Sequence, residues 1–122
     1  MTVLEPEAPS LPGGKRNVLF ICSKNRWRSP TAEQIWRKHA LLSVRSAGTS
    51  SSARRQVTVE DLQWADVIFV MEQKHKARLR DGFASAIDHK PLHVLDIPDE
   101  YTYMAPELVE QLEHSVAALL GL

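Results

Sequence analysis

The residues best able to do chemistry stand together near the start of the chain, in Ile21-Cys22-Ser23-Lys24-Asn25-Arg26-Trp27-Arg28-Ser29-Pro30. The stretch holds the only cysteine of the chain, with Arg28 six positions after it. A thiolate is a nucleophile, and a guanidinium is a planar fork whose paired donors match two phosphate oxygens. Before them, the apolar run from Asn17 to Ile21 predicts a buried strand with Cys22 at its carboxyl end. After them, Ser29-Pro30-Thr31-Ala32-Glu33 carries helix-start signals: a proline tolerated in the first turn and an acidic residue facing the positive end of the dipole. A loop between a strand end and a helix amino terminus converges its N–H groups on one point, which suits an anion and favours thiolate over thiol. Nucleophile, N–H cradle and guanidinium fork together describe phosphoryl transfer through a cysteinyl-phosphate. The competing reading makes Cys22 a small buried hydrophobe and Arg28 a surface decoration. Three basic residues in one short loop, Lys24, Arg26 and Arg28, argue against it.

Cys-x5-Arg-Ser-Pro directly after a first strand, followed by Thr-Ala-Glu, resembles the low-molecular-weight protein tyrosine phosphatases. Other cysteine phosphatases share Cys-x5-Arg but usually place a histidine before a cysteine that comes late in the domain. Here Ile21 precedes it, in the first strand. Ser46-Ala47-Gly48-Thr49, the stretch from Ala53 to Asp61, and Ala65 to Glu72 with His75 behind it are similar to further segments of that family, so the resemblance spans about Asn17 to Leu120. It implies that Ser29 supplies a hydroxyl to the thiolate and that the Asn25 side chain holds the cradle open, with Ser23, Lys24, Asn25, Arg26, Trp27 and Arg28 forming the phosphate-binding loop. The departures are local. Lys24 stands where glycine is usual, Arg26 and Trp27 replace an apolar residue and a second cysteine, and the segment between Gly48 and Ala53 is short, which predicts a shallower pocket. Without a second cysteine, oxidation of Cys22 is less readily reversed.

The elements that must position this loop alternate. A helix is expected over Thr31–Leu42, with Ala32, Ile35, Trp36, Ala40 and Leu41 on its apolar face and Glu33, Arg37 and Lys38 outside. Strands are expected at 43–47, 66–71 and 91–95. A capping box of Thr58 and Asp61 should open a short helix to about Trp64, a basic helix should run from Glu72 to Arg80, and an amphipathic helix from Pro106 to Leu120. This order predicts an α/β three-layer sandwich: a four-stranded parallel sheet with helices on both faces and the phosphate-binding loop after strand 1. Ligands of such sheets bind beyond the carboxyl ends of the strands, where Cys22 lies.

The same edge should carry Leu95-Asp96-Ile97-Pro98-Asp99-Glu100-Tyr101. A carboxylic acid that protonates the leaving oxygen contributes about 10²–10⁴ in rate. Counting back from the last helix along the family pattern favours Asp96, with Asp99 as the alternative acid. The resemblance also offers Trp27, Tyr101 and Tyr103 as substrate-pocket walls.

Composition narrows the rest. At 122 residues, with 15 basic and 15 acidic side chains, the chain is one domain whose net charge gives no argument for nucleic acid or a membrane surface. Residues 1–14, with three prolines and a Gly13-Gly14 pair, read as a flexible tail before a domain at 15–122. A lone cysteine and the lack of a long apolar run make a reducing, cytoplasmic setting the expectation. The five histidines show no ligand spacing, so neither metal nor cofactor is assigned. The expected activity is hydrolysis of a phosphotyrosine protein or small phosphoester. A non-catalytic phosphate-binding module and, less favoured for want of further cysteines, an arsenate reductase are the alternatives.

Overall fold

The computed structural model describes residues 15–122; the expected tail at 1–14 lies outside them. Strand β1 (Arg16–Cys22) is followed by α1 (Arg28–Trp36), β2 (Leu42–Gly48), α2 (Val59–Trp64), β3 (Val67–Val70), α3 (Gln73–Ile87), β4 (Leu92–Val94) and α4 (Pro106–Leu120). The strands are all parallel, in the order β2-β1-β3-β4. The expected α/β architecture therefore stands, with Cys22 the last residue of a central strand.

β1 is apolar without alternation because both its faces are covered. Val18, Phe20 and Cys22 point to the layer of α1 and α4, where they meet Ala32, Leu108, Leu112 and Val116. Leu19 and Ile21 point to the layer of α2 and α3, against Leu62 and Leu79. Each such side chain taken from water contributes about 1.5–3 kcal/mol, so the site rests on a strand whose last five residues are all buried. Among the described residues no helix is long and apolar enough to cross a membrane.

Two helices depart from their expected spans. α1 stops at Trp36 rather than Leu42, leaving Ala40 and Leu41 exposed. Turn hydrogen bonds from His39 N to Trp36 O and from Leu42 N to His39 O reverse the chain so that Leu42 pairs with Arg16. Strand pairing along all of β1 thus overrides a helical pattern. α3 runs past Arg80 to Ile87, bending at Phe83, because Phe83, Ala86 and Ile87 still have apolar surface to cover under the sheet. The strands differ from expectation by one residue at each end. The Thr58–Asp61 capping box and the bounds of α4 are as expected.

Gly48 ends β2 opposite Cys22, where the chain passes under the Cys22 loop. A Cβ at Gly48 would lie 2.4 Å from the carbonyl oxygen of Ser23 and 2.7 Å from Cβ of Ala53. Both contacts are too close for any side chain, so glycine is required there for space. Gly48→Ala should destabilise the fold by about 1–3 kcal/mol through overpacking. Urea denaturation checks this, and an unchanged midpoint would contradict it.

Candidate active site

The chain leaves β1 at Cys22, turns through Ser23–Trp27 and enters α1 at Arg28. Asn25 takes a left-handed conformation, φ 55°, which asparagine tolerates better than most residues. The segment after Gly48 braces the loop from behind. Thr49 N donates to Cys22 O, Ser50 N to Ser23 O, Arg54 N to Lys24 O and Arg54 Nε to Asn25 O, all at 2.9–3.0 Å. With its carbonyls bound outward, the loop has its amides left over. Among the described residues none of the amides from Ser23 to Trp27 donates to a protein acceptor. Lys24 also turns backward, its Nζ 2.7 Å from Ser52 Oγ. The short serine run is thus a strut for the loop.

Cys22 is 3% exposed and sits in a cavity of about 170 Å³ lined by Lys24, Arg26, Trp27, Arg28 and Asp99. Its Sγ lies 3.0 Å from Ser29 Oγ. Asn25 Nδ2 donates to Ser29 Oγ and to Ser46 Oγ, both at 2.9 Å, while Ser46 Oγ donates to Glu33 Oε1. These bonds have a direction. Because Glu33 takes the Ser46 proton, Ser46 must accept from Asn25; because Asn25 also donates to Ser29, the Ser29 proton is free for the sulfur, nearer than its other acceptor, Ala47 O at 3.3 Å. Ser29 is not the helix cap: Trp27 holds that position, without a side-chain cap bond. Glu33, expected outside and in the first turn, lies in the second turn and is half-buried against Ser46.

Arg28 is 2% exposed and has to be held. Its Nη1 donates to Glu72 Oε1 at 3.0 Å and to Ile97 O at 2.8 Å. Burial pushes the Glu72 carboxyl up, but the Arg28 hydrogen bond and charge, with Lys74 and His75, outweigh it and hold Glu72 below the usual carboxylate range. Removing Glu72 would leave the buried Arg28 cation without its nearest carboxylate.

The two candidate acids separate. Leu95 N and Ile97 N continue the sheet bonding onto Val70 O and Met71 O, and Ile97 is buried. Asp96 between them is exposed, at φ 57°, and does not line the cavity. Asp99 does line it, with Oδ1 3.7 Å from Arg28 Nε. Of the two, Asp99 and not the favoured Asp96 is the carboxylate placed at the cavity. The two tyrosines stand apart from the cavity. Tyr101 packs on the core and accepts from Gln111 Nε2 at 2.9 Å, while Tyr103 lines a neighbouring groove; neither walls the Cys22 cavity. Trp27, half-exposed, does.

His75 had no role in the sequence reading, and neither did Ser46 or Glu72. His75 Nδ1 accepts from Glu72 N at 3.0 Å, so its neutral ring carries the proton on Nε2, which lies 2.8 Å from Ser23 Oγ. The spacing of Glu72 and His75, three apart at a helix start, is a capping box and could have been read as one.

Residues 17–60 match the sequence model of the family described as low molecular weight phosphotyrosine protein phosphatase. No curated protein sequence matches the chain. Three solved structures share its fold. The low-molecular-weight protein tyrosine phosphatase of Streptococcus pyogenes is 19% identical, with a TM-score of 0.69 over 85% of this chain and 93% of the other. The YwlE arginine phosphatase of Geobacillus stearothermophilus is 20% identical, TM-score 0.68, over 87% and 94%. The tyrosine phosphatase Wzb of Escherichia coli K30, in complex with phosphate, is 19% identical, TM-score 0.70, over 86% and 96%.

Burial, then the Arg28 charge, depress His75 from 6.5 to about 4, with Lys74 adding and Glu72 and Asp99 opposing. The unfolded chain binds a proton here below about pH 6.5 and the folded one does not, so stability present above 6.5 is lost as pH falls towards 4. The loss should be on the order of 3 kcal/mol. Glu72, whose ordinary value is 4.5, adds its own loss only below that pH. Urea titrations from pH 7 to 5 should show the decline in the wild type and a flatter profile in His75→Gln; identical slopes would contradict the assignment.

Proposed function

We propose that the chain is a phosphatase of the low-molecular-weight protein tyrosine phosphatase type, as its match over residues 17–60 and its shared fold suggest, and that it hydrolyses aryl phosphate monoesters, phosphotyrosine in proteins foremost, through a phosphoryl group carried on Cys22. The observation that carries this reading is the division of the Ser23–Trp27 loop into bound carbonyls and free amides around one thiol. Such a ring of N–H groups suits the three peripheral oxygens of a transferring phosphoryl group, whose transition state gathers charge there.

Arg28 completes the cradle. Glu72 and Ile97 O fix its Nη1, so the fork turns its other donors to the substrate without loss of side-chain freedom on binding. Cys22 Sγ attacks phosphorus, forming P–S as P–O to the leaving group breaks. Asp99 gives its proton to the departing oxygen. Asp99, now a carboxylate, takes a proton from water, which attacks phosphorus and expels Cys22 as thiolate. The Ser29 hydroxyl stabilises that thiolate in both steps. Trp27 at the mouth offers an aromatic face to the ring of the leaving phenol.

Turnover of para-nitrophenyl phosphate and of a phosphotyrosine peptide tests the proposal. Cys22→Ser should abolish both. With the poorer leaving group, Asp99→Asn should lower kcat by about 10²–10⁴, the range for a lost general acid, and Asp96→Asn should leave it near wild type. A protein that binds phosphate or vanadate but cleaves no phosphoester would be the non-catalytic module instead. A larger loss in Asp96→Asn than in Asp99→Asn would restore Asp96 as the acid.

A further inference from the structure

The cavity at Cys22, about 170 Å³, is small beside the roughly 300–1,000 Å³ typical of ligand sites, so most of a substrate must lie beyond it. Immediately beside it runs a groove of about 590 Å³, and Arg26 lines both. The groove gathers three guanidiniums from three parts of the chain: Arg26 from the loop, Arg37 from the end of α1 and Arg54 from the strut behind the loop. Among the described residues none of the three has a carboxylate within salt-bridge distance. Among the described residues Arg37 bonds only Gln34 Oε1, and Arg54 uses Nε on Asn25 O, with the rest of its fork not bonded to any of them. The one acidic group of the lining, Glu33, is engaged by Ser46. In a chain whose basic and acidic residues are equal in number, this is a local excess of unpaired positive charge next to a phosphate cradle.

We infer that this groove is a subsite for a second phosphoryl group on the same substrate. Several guanidinium forks lining one groove suit a phosphate dianion better than a single carboxylate, because each can present two donors to its oxygens. The inference rests on the phosphatase reading for the first phosphate. The second phosphate comes from a neighbouring phosphorylated residue of a peptide or from a small bisphosphate; the chemistry of recognition is the same.

Binding without turnover separates the subsite from catalysis. Cys22→Ser protein is titrated with phosphotyrosine peptides carrying none or one further phosphorylated residue, walked along either side of the phosphotyrosine, and with phenyl phosphate against a benzene bisphosphate. At one spacing the second phosphate should tighten binding by about tenfold, as one good charge-assisted contact does. Raised sodium chloride should shrink the gain. Arg37→Glu in the same background should remove most of it. A gain confined to the small bisphosphate supports the subsite and assigns it to small substrates. Equal affinities at every spacing and for the small pair overturn it, as does a gain that survives Arg37→Glu. If the wild type hydrolyses none of these compounds, the phosphatase reading fails while the affinities still decide the groove. If it hydrolyses the singly phosphorylated peptide and no gain exists, the groove fails and the phosphatase reading stands.

Discussion

A loop can bind an anion with its amides only if its carbonyls are satisfied elsewhere, and this constraint shapes the region around Cys22. The carbonyls of Cys22, Ser23, Lys24 and Asn25 are taken from behind by Thr49, Ser50 and Arg54. That arrangement demands a second segment running close under the loop, which in turn demands glycine at 48, where a Cβ would strike the Ser23 carbonyl. The strut is itself tied down. Arg55 donates to Ser46 O and pairs with Asp61, the residue that closes the capping box of α2. A helix cap, an ion pair and a strand end therefore cooperate to aim a few N–H groups.

The second requirement is a cation kept out of water. Arg28 stays buried because Glu72 and the Ile97 carbonyl neutralise and bond it from the sheet edge. Glu72 stands just before α3 and Ile97 just after β4, so the guanidinium links the first loop of the fold to the loops that follow β3 and β4. The same carboxylate residue caps α3 and shares that cap with His75, whose neutral ring reaches Ser23. Charge, capping and loop support are thereby coupled in one cluster, and a change at Glu72 would be felt at all three.

Much of this could be read from the sequence where the signal is local. The apolar run of β1, the cysteine at its end, the Thr58–Asp61 box and the apolar stripe of α4 each depend on residues a few positions apart. What could not be read depends on partners far along the chain. α1 ends at Trp36 because Leu42 is claimed by Arg16, and α3 continues because the sheet still offers Phe83 and Ile87 a surface. The choice between Asp96 and Asp99 is of the same kind. Burial of Ile97 and its bond to Met71 O turn Asp96 outward and return Asp99 to the cavity, and neither event leaves a mark within the seven residues concerned.

The aim of the loop amides is open to direct observation by titrating the ¹⁵N-labelled protein with inorganic phosphate and following its ¹H–¹⁵N correlation spectrum. The amide protons from Ser23 to Trp27 should move downfield together along a single saturating curve, as N–H groups do on gaining charged acceptors, while those of Thr49 and Ser50, already bonded to loop carbonyls, should move little. Loop amides that stay in place while phosphate binds, or shifts confined to residues away from Cys22, would contradict the account.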